Sequence, residues 1–201
     1  GSPPVPWMSA IRNRACSPCC PRASGMAFRP FGRDSIVHFE DGGPYYGIVG
    51  SDFFPTIGAS ILHGRNFTEM EDRVPSRVMI INRTLAEGYW PNESPVGKCA
   101  RIGSDSVCTM IIGVVENVVL FNMVRDDRAL LYIPPSAPGW QRSADAVLAR
   151  VSGDPTSIIP LIRREVQGLA PNMPHVTVAP YAELVAPELR PWRLGAAMFG
   201  V

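Results

Sequence analysis

The chain has 201 residues, 46% of them apolar and 18% charged, with a formal net charge of +1. That apolar share excludes a wholly disordered chain, and near-neutrality argues against a general nucleic-acid binder, which needs a basic face. Proline, at 21 residues, is about twice its usual share of roughly 5%, which limits long uninterrupted helices.

Residues 1–34 combine prolines, arginines and three cysteines with little periodicity and read as an irregular N-terminal segment, with Ile11 and Phe28 as anchors for local strands. Strands are expected at Ser35–Phe39 and Tyr45–Gly50. Ser51 or Asp52 then caps a short helix through Ile57, because a side-chain oxygen satisfies free amides at a helix start. Gly58 is placed to end it in a left-handed conformation. Arg77–Ile81 is a β-branched apolar run whose length suits a strand buried on both faces. Asn82 caps a helix to about Trp90, with Leu85, Tyr89 and Trp90 on its inner side. Pro91–Pro95 stops that helix.

A hairpin follows, Lys98–Ile102 and Val107–Val115, turning at Gly103-Ser104-Asp105-Ser106. Ala129–Ile133 is a further short strand, ended by Pro134-Pro135. In the last third, Ala146–Val151 reads as a strand, and Asp154-Pro155 opens a helix to Leu169. Its stripe is Ile158, Ile162, Val166 and Leu169. Val176–Val178 and Tyr181–Leu189 complete a β-α-β-α unit behind a strand-rich middle.

Catalytic motifs are missing. There is no G-x-S-x-G elbow, H-E-x-x-H, G-x-G-x-x-G or Walker lysine loop. Pro95-Val96-Gly97-Lys98 lacks the earlier glycine of a phosphate loop, and Cys99 stands where magnesium needs a hydroxyl. His38, His63 and His175 are far apart in sequence and read as surface or structural histidines. Asp126-Asp127 and the group Glu69, Glu71 and Asp72 read as solvated loop charges. Cys16-x-x-Cys19-Cys20 resembles half a metal or redox site, but no second pair completes four ligands. No residue is therefore assigned a catalytic, cofactor-binding or metal role.

Ser51-Asp52-Phe53-Phe54-Pro55-Thr56-Ile57-Gly58, followed by Leu62-His63-Gly64-Arg65-Asn66-Phe67, resembles a passage of MacB-like (FtsX-type) ABC transporter permeases. The likeness continues in order through Val78–Asn82, Leu85-Ala86, Tyr89-Trp90-Pro91, Pro95–Lys98, Ile111–Val118 and Tyr132-Ile133-Pro134. It ends at Pro191-Trp192-Arg193-Leu194-Gly195. The Trp90-Pro91 and Pro191–Gly195 segments are most similar to permeases of acidobacteria and their neighbours. The resemblance implies a periplasmic core domain of α+β class, set between two membrane helices of a bacterial inner-membrane protein.

On that likeness, residues 35–50 and 145–190 form a porter-like α/β lobe, and 51–144 form an inserted strand-rich (sabre-like) lobe. Residues 191–201 lead into a truncated transmembrane helix. Arg190, Trp192 and Arg193 suit the membrane interface, since tryptophan and arginine settle at the headgroups. The apolar run Leu194–Val201 and the opening Gly1-Ser2, which reads as a cloning scar, suggest a domain cut from a larger protein. The implied role is non-catalytic: to couple cytoplasmic ATP hydrolysis to periplasmic handling of a substrate or partner. Implied partners are a second permease copy, a cytoplasmic ABC ATPase domain, and a periplasmic adaptor or substrate protein, with no cofactor. Two alternatives remain, a periplasmic ligand- or lipoprotein-binding module and a secreted thiol or metal enzyme using Cys16, Cys19 and Cys20.

Cys99 and Cys108 lie on opposite arms of the hairpin. If facing residue numbers sum to 207, the two cysteines oppose each other with Cα atoms about 4.5 to 5.5 Å apart. That separation suits a disulfide, and an oxidising periplasm preserves one.

Overall fold

The computed structural model describes residues 8–12, 26–32, 37–40, 42–104, 106–118, 128–140, 146–169 and 177–183. Its described strands are β1 (Met8–Arg12), β2 (Phe28–Pro30), β3 (Tyr45–Val49), β4 (Ile61–Gly64), β5 (Val78–Asn82), β6 (Cys99–Ile102), β7 (Thr109–Val115), β8 (Leu130–Ile133) and β9 (Ala146–Ala149). The helices are α1 (Phe53–Ile57), α2 (Glu69–Arg73), α3 (Arg83–Tyr89) and α4 (Pro155–Leu169). The class is α+β. The chain divides into two units, residues 1–118 with 127–150, and residues 119–126 with 151–201.

In the first unit the strands share one sheet in the order β2-β6-β7-β5-β8-β3-β1-β9, with β4 added beside β7. Strands on both sides of the expected boundaries at residues 50 and 144 take part in it. All residues of β5 and β8 are buried, which is why each reads as an unbroken apolar run rather than an alternating one. Side chains alternate across the sheet. Met79, Ile81, Leu131 and Ile133 share a core cluster with Leu85, Ala86 and Tyr89 of α3. Ile80 opposes Tyr132 on the other face, where Phe54 of α1 meets the Tyr132 ring at 5.0 Å. Thus α3 covers one side and α1 the other.

One edge of β7 changes partner partway along. Its first residues pair with β6, at Cys99↔Met110 and Ala100↔Thr109. Its last residues pair on that same side with β4, at Gly64↔Gly113 and His63↔Val114. At the changeover the Gly97 N–H donates to Ile111 O, and the Arg65 N–H donates to Ile112 O. The two backbones approach too closely there for side chains. A Cβ on Gly64 would stand 2.2 Å from Ile112 O, and one on Gly113 would stand 2.4 Å from Arg65 O.

Several expectations need correction. Of the strand expected at Ser35–Phe39, residues 35 and 36 lie outside the described residues and Val37–Phe39 is not a strand; the Val37 N–H is taken by the Tyr89 hydroxyl, and the Phe39 ring lies tilted 6.3 Å from the Tyr89 ring. Asp52 precedes α1 but makes no side-chain cap, while Gly58 does end that helix, at φ 78°. The β6–β7 pairs sum to 209 rather than 207, because the loop between them is longer than the expected turn. Two elements were not anticipated, β4 and α2. Ile11 and Phe28 do sit in strands, β1 and β2.

In the second unit, Asp154 caps α4 by accepting the Thr156 N–H at 2.9 Å, with Pro155 at the first helical position. Ile158, Ile162 and Val166 are half-buried along the expected stripe. Thr177 and Val178 lie outside any strand, and Tyr181–Glu183 form a helical turn. The remainder of the expected C-terminal helix, and Arg190, Trp192 and Arg193, fall outside the described residues.

Candidate functional site

Polar side chains in a core must be hydrogen-bonded, so they identify either structural brackets or chemistry. Two constellations stand out in the first unit.

The first joins α1, α2 and the loop after β4. The Ser51 hydroxyl donates to Asp72 Oδ2 at 2.7 Å, and the Ser51 N–H donates to the same carboxylate. Asn66 Nδ2 donates to Ser51 O at 2.7 Å. Arg65 grips Glu71 with both guanidinium nitrogens, at 2.8 and 2.7 Å. Thr68 and Glu71 form a reciprocal capping box that starts α2. The Ser136 hydroxyl closes the group, its one hydrogen shared between Glu71 O and Val74 O. Asp52, beside this group, has its carboxyl pushed up first by burial, then by the charges of Asp72 and Glu69.

Glu71 is held down at about 2, first by the Arg65 hydrogen bonds. Such a depressed carboxylate adds stability above its ordinary pKa of 4.5 and loses it as pH falls toward 2. The full shift corresponds to about 3 kcal/mol; screening at the half-exposed Arg65 reduces this to about 1–2 kcal/mol. Glu71→Gln is therefore expected to lower stability at pH 7 by about 1–2 kcal/mol and to flatten the loss between pH 5 and 2. Urea unfolding at pH 7 and pH 3 measures both effects.

The second constellation sits at the end of β5. Asn82 is fully buried, and its Oδ1 accepts the N–H groups of Leu85, at 3.1 Å, and Leu130, at 3.0 Å. Its Nδ2 donates to Asn117 Oδ1 and to Arg128 O. Asn117 in turn donates to the Thr84 hydroxyl and accepts the Thr84 N–H. Asn82 thus caps α3 as expected, and also ties β5 to β8 and to the segment after β7.

The loop that most resembles a phosphate loop is committed to the fold. In Pro95–Lys98 the Gly97 N–H is used in sheet pairing, and the Lys98 ammonium pairs with Glu93, so the loop is not shaped to cradle phosphate. His38 and His63 are exposed, on a loop and on β4. Among the described residues no three His, Cys, Asp or Glu side chains converge as a metal site would need. Glu69 is exposed, while Glu71 and Asp72 serve the bracket above. Cys16, Cys19, Cys20, Asp126 and His175 lie outside the described residues, and of the Asp126-Asp127 pair so does Asp127.

In the structure Cys99 and Cys108 are joined as a disulfide with Cα atoms 5.3 Å apart. In the ladder Cys99 opposes Met110, and the bond reaches past it to Cys108 in the loop just before β7. The Thr68-x-x-Glu71 spacing of the capping box is present in the sequence, within the acidic group Glu69, Glu71 and Asp72.

The family described as MacB-like periplasmic core domain matches residues 20–181. The fold is similar to that of the periplasmic region of MacB from Actinobacillus actinomycetemcomitans, at 16% identity and a TM-score of 0.56, over 82% of this chain and 67% of that one. It is also similar to the extracellular domain of the noncanonic ABC-type transporter YknZ from Gram-positive bacteria, at 15% identity and a TM-score of 0.52. That match covers 84% of this chain and 78% of the other. No curated protein matches the chain. Five described residues of the sequence likeness have structural roles: Gly64 admits β7, Arg65 holds Glu71, and Phe53, Phe54 and Phe67 are buried. With a family match spanning residues 20–181 and the fold in agreement, this chain belongs to the MacB-like periplasmic core domains.

Proposed function

We propose that this domain is the extracytoplasmic part of an ABC transporter permease, coupling ATP hydrolysis on a cytoplasmic partner to handling of a substrate or protein in the periplasm. The observation that supports this reading is the family match over residues 20–181. The polar side chains Glu71, Asp72, Asn82 and Lys98 are engaged in hydrogen bonds or ion pairs within the fold. Such a body suits force transmission better than turnover.

Arg190, Trp192 and Arg193 are proposed to mark the headgroup level of a membrane helix that begins near Leu194. The permease would act as a homodimer facing its own twin, and a periplasmic adaptor is a further proposed partner.

The test uses the native gene with its ATPase partner in liposomes. Deleting the domain from the permease is expected to leave ATP hydrolysis measurable while abolishing the periplasmic output. Saturable ester, peptide or phosphate hydrolysis by the purified domain would overturn the reading. So would a native sequence that turns polar directly after Val201.

The Cys99–Cys108 bond is proposed to persist in the oxidising periplasm. It closes a loop of about ten residues, so reduction should cost about 2–3 kcal/mol on the chain-entropy account. Non-reduced peptide mass spectrometry should recover the two peptides linked; free thiols at both positions would refute the bond.

A further inference from the structure

The outer face of β2, β6 and β7 carries a second kind of feature. Arg29 of β2 and Arg101 of β6 are directly opposed in register, and both are exposed. Like charges in such a pair, with Cβ atoms about 4.5–5.5 Å apart, repel and destabilise the sheet. Neither guanidinium makes an ion pair or side-chain hydrogen bond among the described residues. Arg101 instead lies over the Phe31 ring, 4.8 Å from its centroid. Stacking occupies the flat of the guanidinium and leaves its N–H donors free at the rim.

The next row of the same face adds apolar surface. The Phe31 N–H donates to Cys99 O, and Cys99 opposes Met110. Phe31 is 46% exposed and Met110 42%. The disulfide and the strand ladders fix this backbone, so a ligand would not have to order it.

We propose that this face docks an acidic peptide segment of a partner protein. A carboxylate seats between Arg29 and Arg101, and a neighbouring apolar side chain lies on Phe31 and Met110. Two adjacent guanidinium forks match one carboxylate well. A membrane surface draws only about 1 kcal/mol from each cation, so two arginines would hold a lipid layer weakly. The peptide lies on the face rather than extending the sheet, because the β2 edge is closed. Pro30 offers no N–H, and Phe28 O already accepts the Tyr89 hydroxyl.

The test is an NMR titration of the full chain with an acetylated, amidated tetrapeptide alternating glutamate and leucine. Saturable shifts are expected at the Met110 methyl and the Arg101 Nε–H. Arg29→Glu and Arg101→Glu should each weaken binding at least tenfold while melting at or above the parent temperature, because each turns the opposed pair from repulsion to attraction. Arg101→Lys should also bind more weakly, having lost the fork and the stacking. Equal binding of the glutamine–leucine peptide would overturn the proposal, as would binding unchanged by either reversal. Arginine-dependent binding of phosphatidylglycerol vesicles or inorganic phosphate with none of the peptide would overturn it in favour of a phosphate ligand. None of these outcomes depends on the transporter reading.

Discussion

Gly64→Ala is expected to destabilise the chain by about 3–5 kcal/mol. Two effects add. The new Cβ would stand 2.2 Å from Ile112 O, a backbone atom held by the β4–β7 pairing that cannot swing aside. The residue also has φ +75°, where a side chain costs about 1–2 kcal/mol. Since whole domains are stable by only about 5–15 kcal/mol, the melting temperature should fall by about 10 °C or more. Gly97→Ala is the control, with φ +83° but nothing within 4 Å of its Cβ. It should cost only the backbone strain, about 1 kcal/mol. Thermal melts of the two variants separate collision from strain, and equal losses would show that β4 does not approach β7 this closely.

Asn82→Ala should cost about 3–4 kcal/mol. It strands the buried N–H groups of Leu85 and Leu130 and the carbonyl of Arg128, each of which carries a desolvation penalty of about 1–3 kcal/mol when unpaired. The effect should spread, because the same amide joins α3, β5 and β8. Asn82→Asp keeps the acceptor but turns an oxygen toward Asn117 Oδ1 and Arg128 O, both acceptors. Its carboxyl should therefore be more basic folded than unfolded, so this variant should regain stability as pH falls, when a proton restores the donor. Denaturant titrations at pH 7 and pH 4 test the sign. A loss for Asn82→Asp that grows on acidification would contradict the hydrogen-bond assignment.

What was legible in the sequence follows the range of the forces involved. Val78–Ile81 announced a doubly buried strand through its β-branched run, and Asn82 announced the helix start because capping is a matter of three residues. Cys99 and Cys108 meet because the loop that joins β6 to β7 is short, although their register is two residues from the expected one. Partners distant in sequence were not legible. β4 is held by a strand about fifty residues later, and β2 by one about seventy residues later, so neither carries its reason locally. Ser51, one of two caps expected for the helix beside it, is bound instead to Asp72, 21 residues on. The arginine pair was invisible, because Arg29 and Arg101 become neighbours only when β2 meets β6.

The order of strands in the sheet also sets how fast it forms. Apart from the β6–β7 hairpin, its pairings close long loops: Tyr45 meets Leu130, and Met8 meets Ala149. Each closure spends chain entropy before any contact repays it, so folding belongs to the millisecond-to-second class of high contact order rather than to the microsecond class of helical bundles. β8 cannot settle until residues 45–49 and 78–82 are both in place, since it lies between them. During that wait the apolar runs of β5 and β8 are unpaired, and a newly made chain is at its most vulnerable to association with its neighbours. Stopped-flow refolding should show this delay, and a larger yield of native chain at lower protein concentration.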